Sequence, residues 1–233
     1  MARAWSATVT GFLLALVAVL PAPGGRAGAG PDQVRLLERL AARYRALAPF
    51  AVDFRQSLVS PTFGEEEQAR GRILVGRGGR LAWRYDEPAG MRAVYDGTEW
   101  RVLDPEEREL VVHRTDLPGR EGDRLLADLL AGRADLTDLF AVLPPDEREK
   151  GDANGNERGR IRVRLLPREP RDDVEWVELE IDPGPPDLRR IVVVDPLGSR
   201  LAMELGAPAP LREGLPPGTF EIDVPEGYTI SRD

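Results

Sequence analysis

Apolar and polar positions alternate through the middle of this chain. In residues 71–105, GRILVGRGGRLAWRYDEPAGMRAVYDGTEWRVLDP, short apolar runs are separated by Gly, Pro and Asp-Gly. Leu81, Trp83 and Tyr85 share one face at a period of two, and Ala82, Arg84 and Asp86 share the other. Asp96-Gly97 marks a two-residue hairpin, because Gly supplies the positive φ of a primed turn. The stretch reads as an antiparallel meander with Trp83 and Trp100 on neighbouring parts of one sheet. Its apolar face needs a packed core or an apolar guest to cover it.

The same reasoning extends outward. Asp32 starts a helix to about Leu47, with Val34, Leu37, Leu40, Tyr44 and Leu47 on one side at three- and four-residue steps, and Pro49 ends it. Residues 50–60 alternate as a strand, 65–76 form a second, and 109–113 close this run of β-structure. Residues 123–130 and 135–143 read as two short helical pieces broken by Gly132, each strongly apolar on one side. They must lie on something, and the open face of the sheet is the obvious receptor. Residues 144–159 are polar and turn-rich, and strands resume at 160–166, 174–181, 188–194 and 200–205. A Pro-rich connection, 206–218, leads to a last short strand at 219–224. The pattern predicts a mainly β (α+β) protein: an antiparallel sheet of about ten strands, curled into a barrel or half-barrel with helices on one side.

The N-terminus has a different texture. Arg3 precedes an apolar run at 11–20, and Ala27-Gly28-Ala29 is an A-x-A cleavage pattern, so residues 1–29 read as a signal peptide and 30–233 as one domain. The apolar run is too short to span a bilayer. There is no Cys, hence neither a disulfide nor an N-terminal lipid-bearing cysteine. The expected product is exported, unanchored and periplasmic. Its net charge, −8 for the whole chain, argues against nucleic acid and anionic membrane surfaces as partners.

Catalytic chemistry finds little support. His113 is the single His, and the serines beyond the leader (Ser57, Ser60, Ser199 and Ser231) lie in no G-x-S-x-G elbow. A transition-metal site has almost no ligands. Glu65-Glu66-Glu67 reads as a solvated hairpin, and Asp152-Ala153-Asn154-Gly155-Asn156 lacks the terminal Glu of a calcium loop. No cofactor is expected. The aromatic cluster Trp83, Tyr85, Tyr95 and Trp100 serves a core or a ligand cavity equally well on composition, and the leucine-rich pieces favour a closable pocket.

Several motifs resemble the LolA family of periplasmic outer-membrane lipoprotein carriers. Pro49-Phe50-x-x-x-Phe54-x-Gln56 is similar to the family's S-F-x-x-x-F-x-Q segment. Gly71-x-Ile73, Arg77 and Leu81-x-Trp83-x-Tyr85-x-x-Pro88 follow its central block, Asp96-Gly97 its D-G stretch, and Phe220 to Tyr228 its close. The resemblance implies an unclosed antiparallel β-barrel of about ten to eleven strands, with an N-terminal helix and short lid helices, around a cavity for lipoprotein acyl chains. It also implies an inner-membrane lipoprotein-releasing ABC transporter as donor and an outer-membrane receptor as acceptor, with the carrier a monomer. Parity and amphipathicity place Val52, Phe54, Leu81 and Trp83 in that cavity. With Leu74, Tyr85 and Trp100 they form the expected acyl-chain site, under a lid of Leu125, Leu126, Leu129, Leu130 and Phe140. Arg77, in the resemblance, latches the lid through its carbonyls, although Gly78-Gly79 stands where the family usually has Pro. The alternatives are a lipid-binding or lipoprotein-sensing regulatory module and, from a different class, a hydrolase.

Overall fold

The computed structural model describes residues 31–61, 64, 66–114, 121–133, 136–143 and 159–232. The leader with its cleavage site and the polar stretch 144–158 lie outside the described residues. Helix α1 (Pro31–Leu47) begins with a residue whose missing N–H costs nothing at that position, and carries Asp32 in its first turn and Arg45 in its last. Leu36, Leu37, Leu40 and Tyr44 are buried along one face. Ala48 N–H still donates to the Tyr44 carbonyl, and Pro49 cannot continue the ladder.

Six strands follow: β1 (Phe50–Val59), β2 (Glu66–Val75), β3 (Leu81–Glu87), β4 (Arg92–Tyr95), β5 (Glu99–Asp104) and β6 (Glu109–Arg114), with a single 3₁₀ turn, Arg77–Gly79, between β2 and β3. Helix α2 (Glu121–Leu130) and the one-turn α3 (Leu136–Leu139) precede β7 (Phe140–Leu143). The chain then forms β8 (Ile161–Pro167), β9 (Trp176–Ile181), β10 (Leu188–Val194), β11 (Arg200–Leu205), the two-residue β12 (Ala209–Pro210) and β13 (Thr229–Arg232). They make one 13-stranded sheet in the order β13-β6-β5-β4-β3-β2-β1-β11-β10-β9-β8-β7, with β12 beside β1. The end strands β13 and β7 do not pair, so the curved sheet is unclosed.

Three elements depart from the sequence expectation. The piece 135–143 is helical only to Leu139; Phe140–Leu143 pairs antiparallel with β8. An apolar run this short fits either state, and an available strand edge decides it. Residues 219–224 form no strand, although Phe220 and Ile222 do pack on the sheet at the expected alternation. The last strand is β13 instead, joined parallel to β6, and the strand count exceeds the ten or eleven expected.

The two faces of the sheet are covered differently. The inner face joins α1, α2, strands β1 to β5 and strands β7 to β11 in one apolar cluster. On the outer face, Ala51, Leu74, Ala82 and Val94 lie under Leu211, Leu215, Phe220 and Ile222 of the irregular C-terminal strap. Phe220 lies where a Cβ on Gly76 would be, and its ring carries the Arg80 guanidinium at 4.5 Å. Further round, the outer face carries cross-strand pairs such as Arg164–Glu178 at 3.0 Å and Arg190–Glu180 at 3.4 Å beside a small apolar cluster of Val192, Val194, Ala202 and Trp176.

Candidate functional site

Strand parity builds the inner face. Val52 and Phe54 of β1 point inward with Ile73 and Val75 of β2, then Leu81, Trp83 and Tyr85 of β3, and Tyr95 and Trp100 across the β4–β5 turn. Registers Val52↔Ile73, Ile73↔Trp83 and Tyr95↔Trp100 put these side chains side by side. Trp83 meets Trp100 edge-on at 4.9 Å, Tyr95 stacks on Trp100 at 5.0 Å, and Phe54 meets Tyr85 edge-on at 5.2 Å. Such offset and edge contacts suit the ring quadrupoles. Burial pushes the Tyr85 phenol well above its ordinary range. The Tyr95 hydroxyl donates to the Gly97 carbonyl at 2.8 Å, inside a turn where the Asp96 carboxylate accepts from the Thr98 and Glu99 amides. Burial works against that carboxylate, and these bonds outweigh it, so its pKa is lowered.

Of the expected acyl-chain residues, six reach this face and Leu74 does not. It points outward against the strap, because period two in Ile73-Leu74-Val75 sends its neighbours inward. All three are apolar, so hydrophobicity alone could not tell the faces apart. Leu125, Leu129 and Leu130 of α2 are buried on the inner face and Leu126 packs partly against it. Phe140 is buried there too, but from strand β7 rather than a helix. The inner face is thus filled by the protein's own side chains, with the leucines of α2 and the Trp83–Trp100 pair in one cluster.

The contact between α2 and the β2–β3 turn differs from expectation. Arg77 is exposed and, among the described residues, makes no hydrogen bond to α2. The guanidinium comes from the other side: Arg133 donates to the Gly78 carbonyl at 3.3 Å and to the Asp128 carboxylate at 2.8 Å. Burial opposes its charge, while Asp128 and the Tyr95 hydroxyl favour it, and the net effect raises its pKa. Gly132 makes this docking possible. Its φ of +70° closes α2, with Gly132 N–H donating to Leu129 O and Arg133 N–H to Asp128 O. A Cβ there would strike the Ala41 carbonyl of α1. The motif Gly132-Arg133 signals a helix end in the sequence, but nothing in it names Gly78 as partner.

Helix α1 is tied to the opposite half of the sheet. Arg43 pairs with Asp187 at 2.8 Å, the Leu188 amide donates to the Tyr44 hydroxyl at 2.9 Å, and Gln33 donates to the Arg162 carbonyl at 3.2 Å. None of these ties stood out in the sequence, where Tyr44 reads only as part of the apolar stripe, since each partner is more than a hundred positions away. His113 is buried opposite Trp100 in the β5–β6 register. Among the described residues, no group of three or more His, Cys, Asp or Glu is placed to hold a metal.

The fold is thus an unclosed sheet around an aromatic, apolar interior, covered by helices. Residues 45–222 match the family described as outer membrane lipoprotein carrier protein LolA, and the chain belongs to that family. Its members are carriers of lipoprotein cargo, not enzymes. The outer-membrane lipoprotein carrier protein of Chromohalobacter salexigens is 25% identical over 197 residues, covering 84% of this chain and 86% of that one. A solved LolA superfamily protein from Nitrosomonas europaea is similar at 14% identity and a TM-score of 0.42, over 81% of this chain and 96% of that one. A second similar structure is the MucA/MucB complex of Pseudomonas aeruginosa, at 17% identity and a TM-score of 0.41, over 78% and 59% of the two chains.

Proposed function

We propose that this protein is an exported, periplasmic carrier that shelters the acyl chains of lipoproteins on its inner face while they cross the envelope. The supporting observation is the belt of Phe54, Trp83, Tyr85, Tyr95 and Trp100 lying in one cluster with the leucines of α2. Residues 1–29 act as its signal peptide, and 30–233 as the carrier domain. An acyl chain of about sixteen carbons contributes roughly 12 kcal/mol when fully buried, so lipoprotein chains need a sleeve in water. A carrier must also release them. The inner face is packed with the protein's own leucines, so cargo displaces α2 rather than entering a standing void, and return of α2 helps expel the chains. Cargo then passes from an inner-membrane lipoprotein-releasing transporter to an outer-membrane acceptor.

The test is lipoprotein or diacyl lipid added to the purified protein, read by tryptophan fluorescence. Trp83 and Trp100 are the reporters; brominated acyl chains should quench their emission, and Trp83→Phe with Trp100→Phe should remove the response while Trp176, on the outer face, still fluoresces. No quenching in a folded protein, together with no lipid recovered by mass spectrometry from protein purified out of the periplasm, would overturn the carrier reading.

A further inference from the structure

Several arginines of this acidic chain are paired: Arg43, Arg70, Arg72, Arg133, Arg164, Arg171 and Arg189 each hold a carboxylate within 3.0 Å. Three others share one hollow. A cleft of about 500 Å³ opens at the rim of the sheet, where the end of α1, the 3₁₀ turn and the strap meet. Arg77, Arg80 and Arg212 line it, all exposed, and no acidic residue does. Among the described residues, neither Arg77 nor Arg212 has a carboxylate partner, and Arg80 spends one face of its guanidinium on the Phe220 ring. The floor is apolar, formed by Leu47 from the inner cluster and Leu211 and Leu215 from the outer one.

We infer that this cleft binds a phosphate-bearing amphiphile, its phosphate among the three guanidiniums and the start of its apolar chain on the leucine floor. Guanidinium forks match phosphate oxygens in geometry and charge, and an apolar floor beside them rewards a tail that a free anion lacks. A peptide fits less well, because the backbone here is already used. Leu211 N–H donates to Pro49 O at 2.9 Å, Gly214 N–H to Leu211 O at 3.1 Å, and Pro49 and Pro210 have no N–H to offer. An extended segment would find no ladder to join. The site is separate from the inner face and does not rest on the carrier reading.

The experiment titrates ¹⁵N-labelled protein with monomeric dihexanoyl phosphatidic acid, inorganic phosphate and dihexanoylglycerol in separate arms. The phosphatidic acid should bind about tenfold tighter than either fragment, shifting the Gly78, Gly214 and Leu215 amides. Arg77→Gln with Arg212→Gln should weaken it by about tenfold or more at unchanged melting temperature, and Leu215→Ser should weaken the lipid without affecting phosphate. Equal affinity in the double variant overturns the proposal, as does phosphate binding as tightly as the lipid. So do shifts confined to the Trp83 and Trp100 indoles, or tighter binding of a glutamate-rich peptide.

Discussion

Helices α1 and α2 cover the same inner face with similar leucine-rich stripes, yet they are attached in different ways. α1 is bolted to the β8–β10 half of the sheet near both ends: Gln33 reaches Arg162, and the neighbours Arg43 and Tyr44 reach Asp187 and Leu188. The Tyr44 hydroxyl accepts the amide hydrogen of a fully buried residue, and burial raises its own pKa well above the ordinary phenol. α2 is tied to the sheet at its C-terminal end, through Arg133 and the carbonyl of Gly78, and leans on α1 at Gly132. Apolar burial alone therefore does not distinguish a fixed plug from a movable lid. Among the described residues the polar ties differ, and the expectation is that α2 opens while the sheet stays folded.

The sharpest test compares matched truncations. Leu40 of α1 and Leu129 of α2 are both buried on the inner face. Leu40→Ala should lower global stability by about 2–5 kcal/mol, as expected for a leucine in a rigid core. Leu129→Ala should lower it by less, because part of its burial is lost in a local opening that precedes global unfolding, and should raise amide exchange in α2 selectively. Equal losses in urea unfolding, with α2 exchanging only through global unfolding, would show that both helices are one core.

A smaller effect isolates a bolt. Tyr44→Phe keeps the ring and its 5.3 Å contact with Phe50 but leaves the Leu188 amide without its acceptor. An unsatisfied buried donor costs about 1–3 kcal/mol, so urea unfolding should shift by that amount with its denaturant slope unchanged. The opening of α2 should not respond. If it does, the two helices are coupled through Gly132 more tightly than their separate ties suggest.

Much of this frame was legible before any coordinates. The period-two face of Leu81, Trp83 and Tyr85 and the Asp96-Gly97 turn specified the meander, because each rests on contacts within a few residues of sequence. Legibility failed where both faces of a strand are apolar, as at Leu74, and where a short run could serve helix or strand, as at Phe140. It failed again at Thr229–Arg232, whose polar sequence becomes a strand only because β6 offers an edge. Phe220 and Ile222 show a subtler limit: alternation reveals which side chains touch the sheet, not whether the backbone joins its ladder. The bolts and the Arg133 tie are long-range polar pairs with no local signature at all.

That last tie carries the smallest and most specific expectation. Resemblance puts the lid's arginine on the sheet side, at Arg77, whereas the observed donor is Arg133 from the α2 side, and the observed acceptor is the carbonyl of Gly78. Gly78 and Gly79 both have positive φ, at 76° and 80°, which is the loosened turn that the missing Pro allows. Reversing donor and acceptor preserves the physics, since a charged fork still satisfies a carbonyl across the same gap. Arg133→Gln removes the charge and the Asp128 pair while keeping a donor, so α2 should open about two- to tenfold more often. Global stability should scarcely change, because Asp128 can turn to water. Arg133→Lys should fall between, having the charge without the fork. Arg77→Leu is the control. Amide exchange of α2 should match wild type in Arg77→Leu and be faster in Arg133→Gln. The opposite pattern would return the latch to Arg77 and leave Arg133 as a helix-end pair with Asp128.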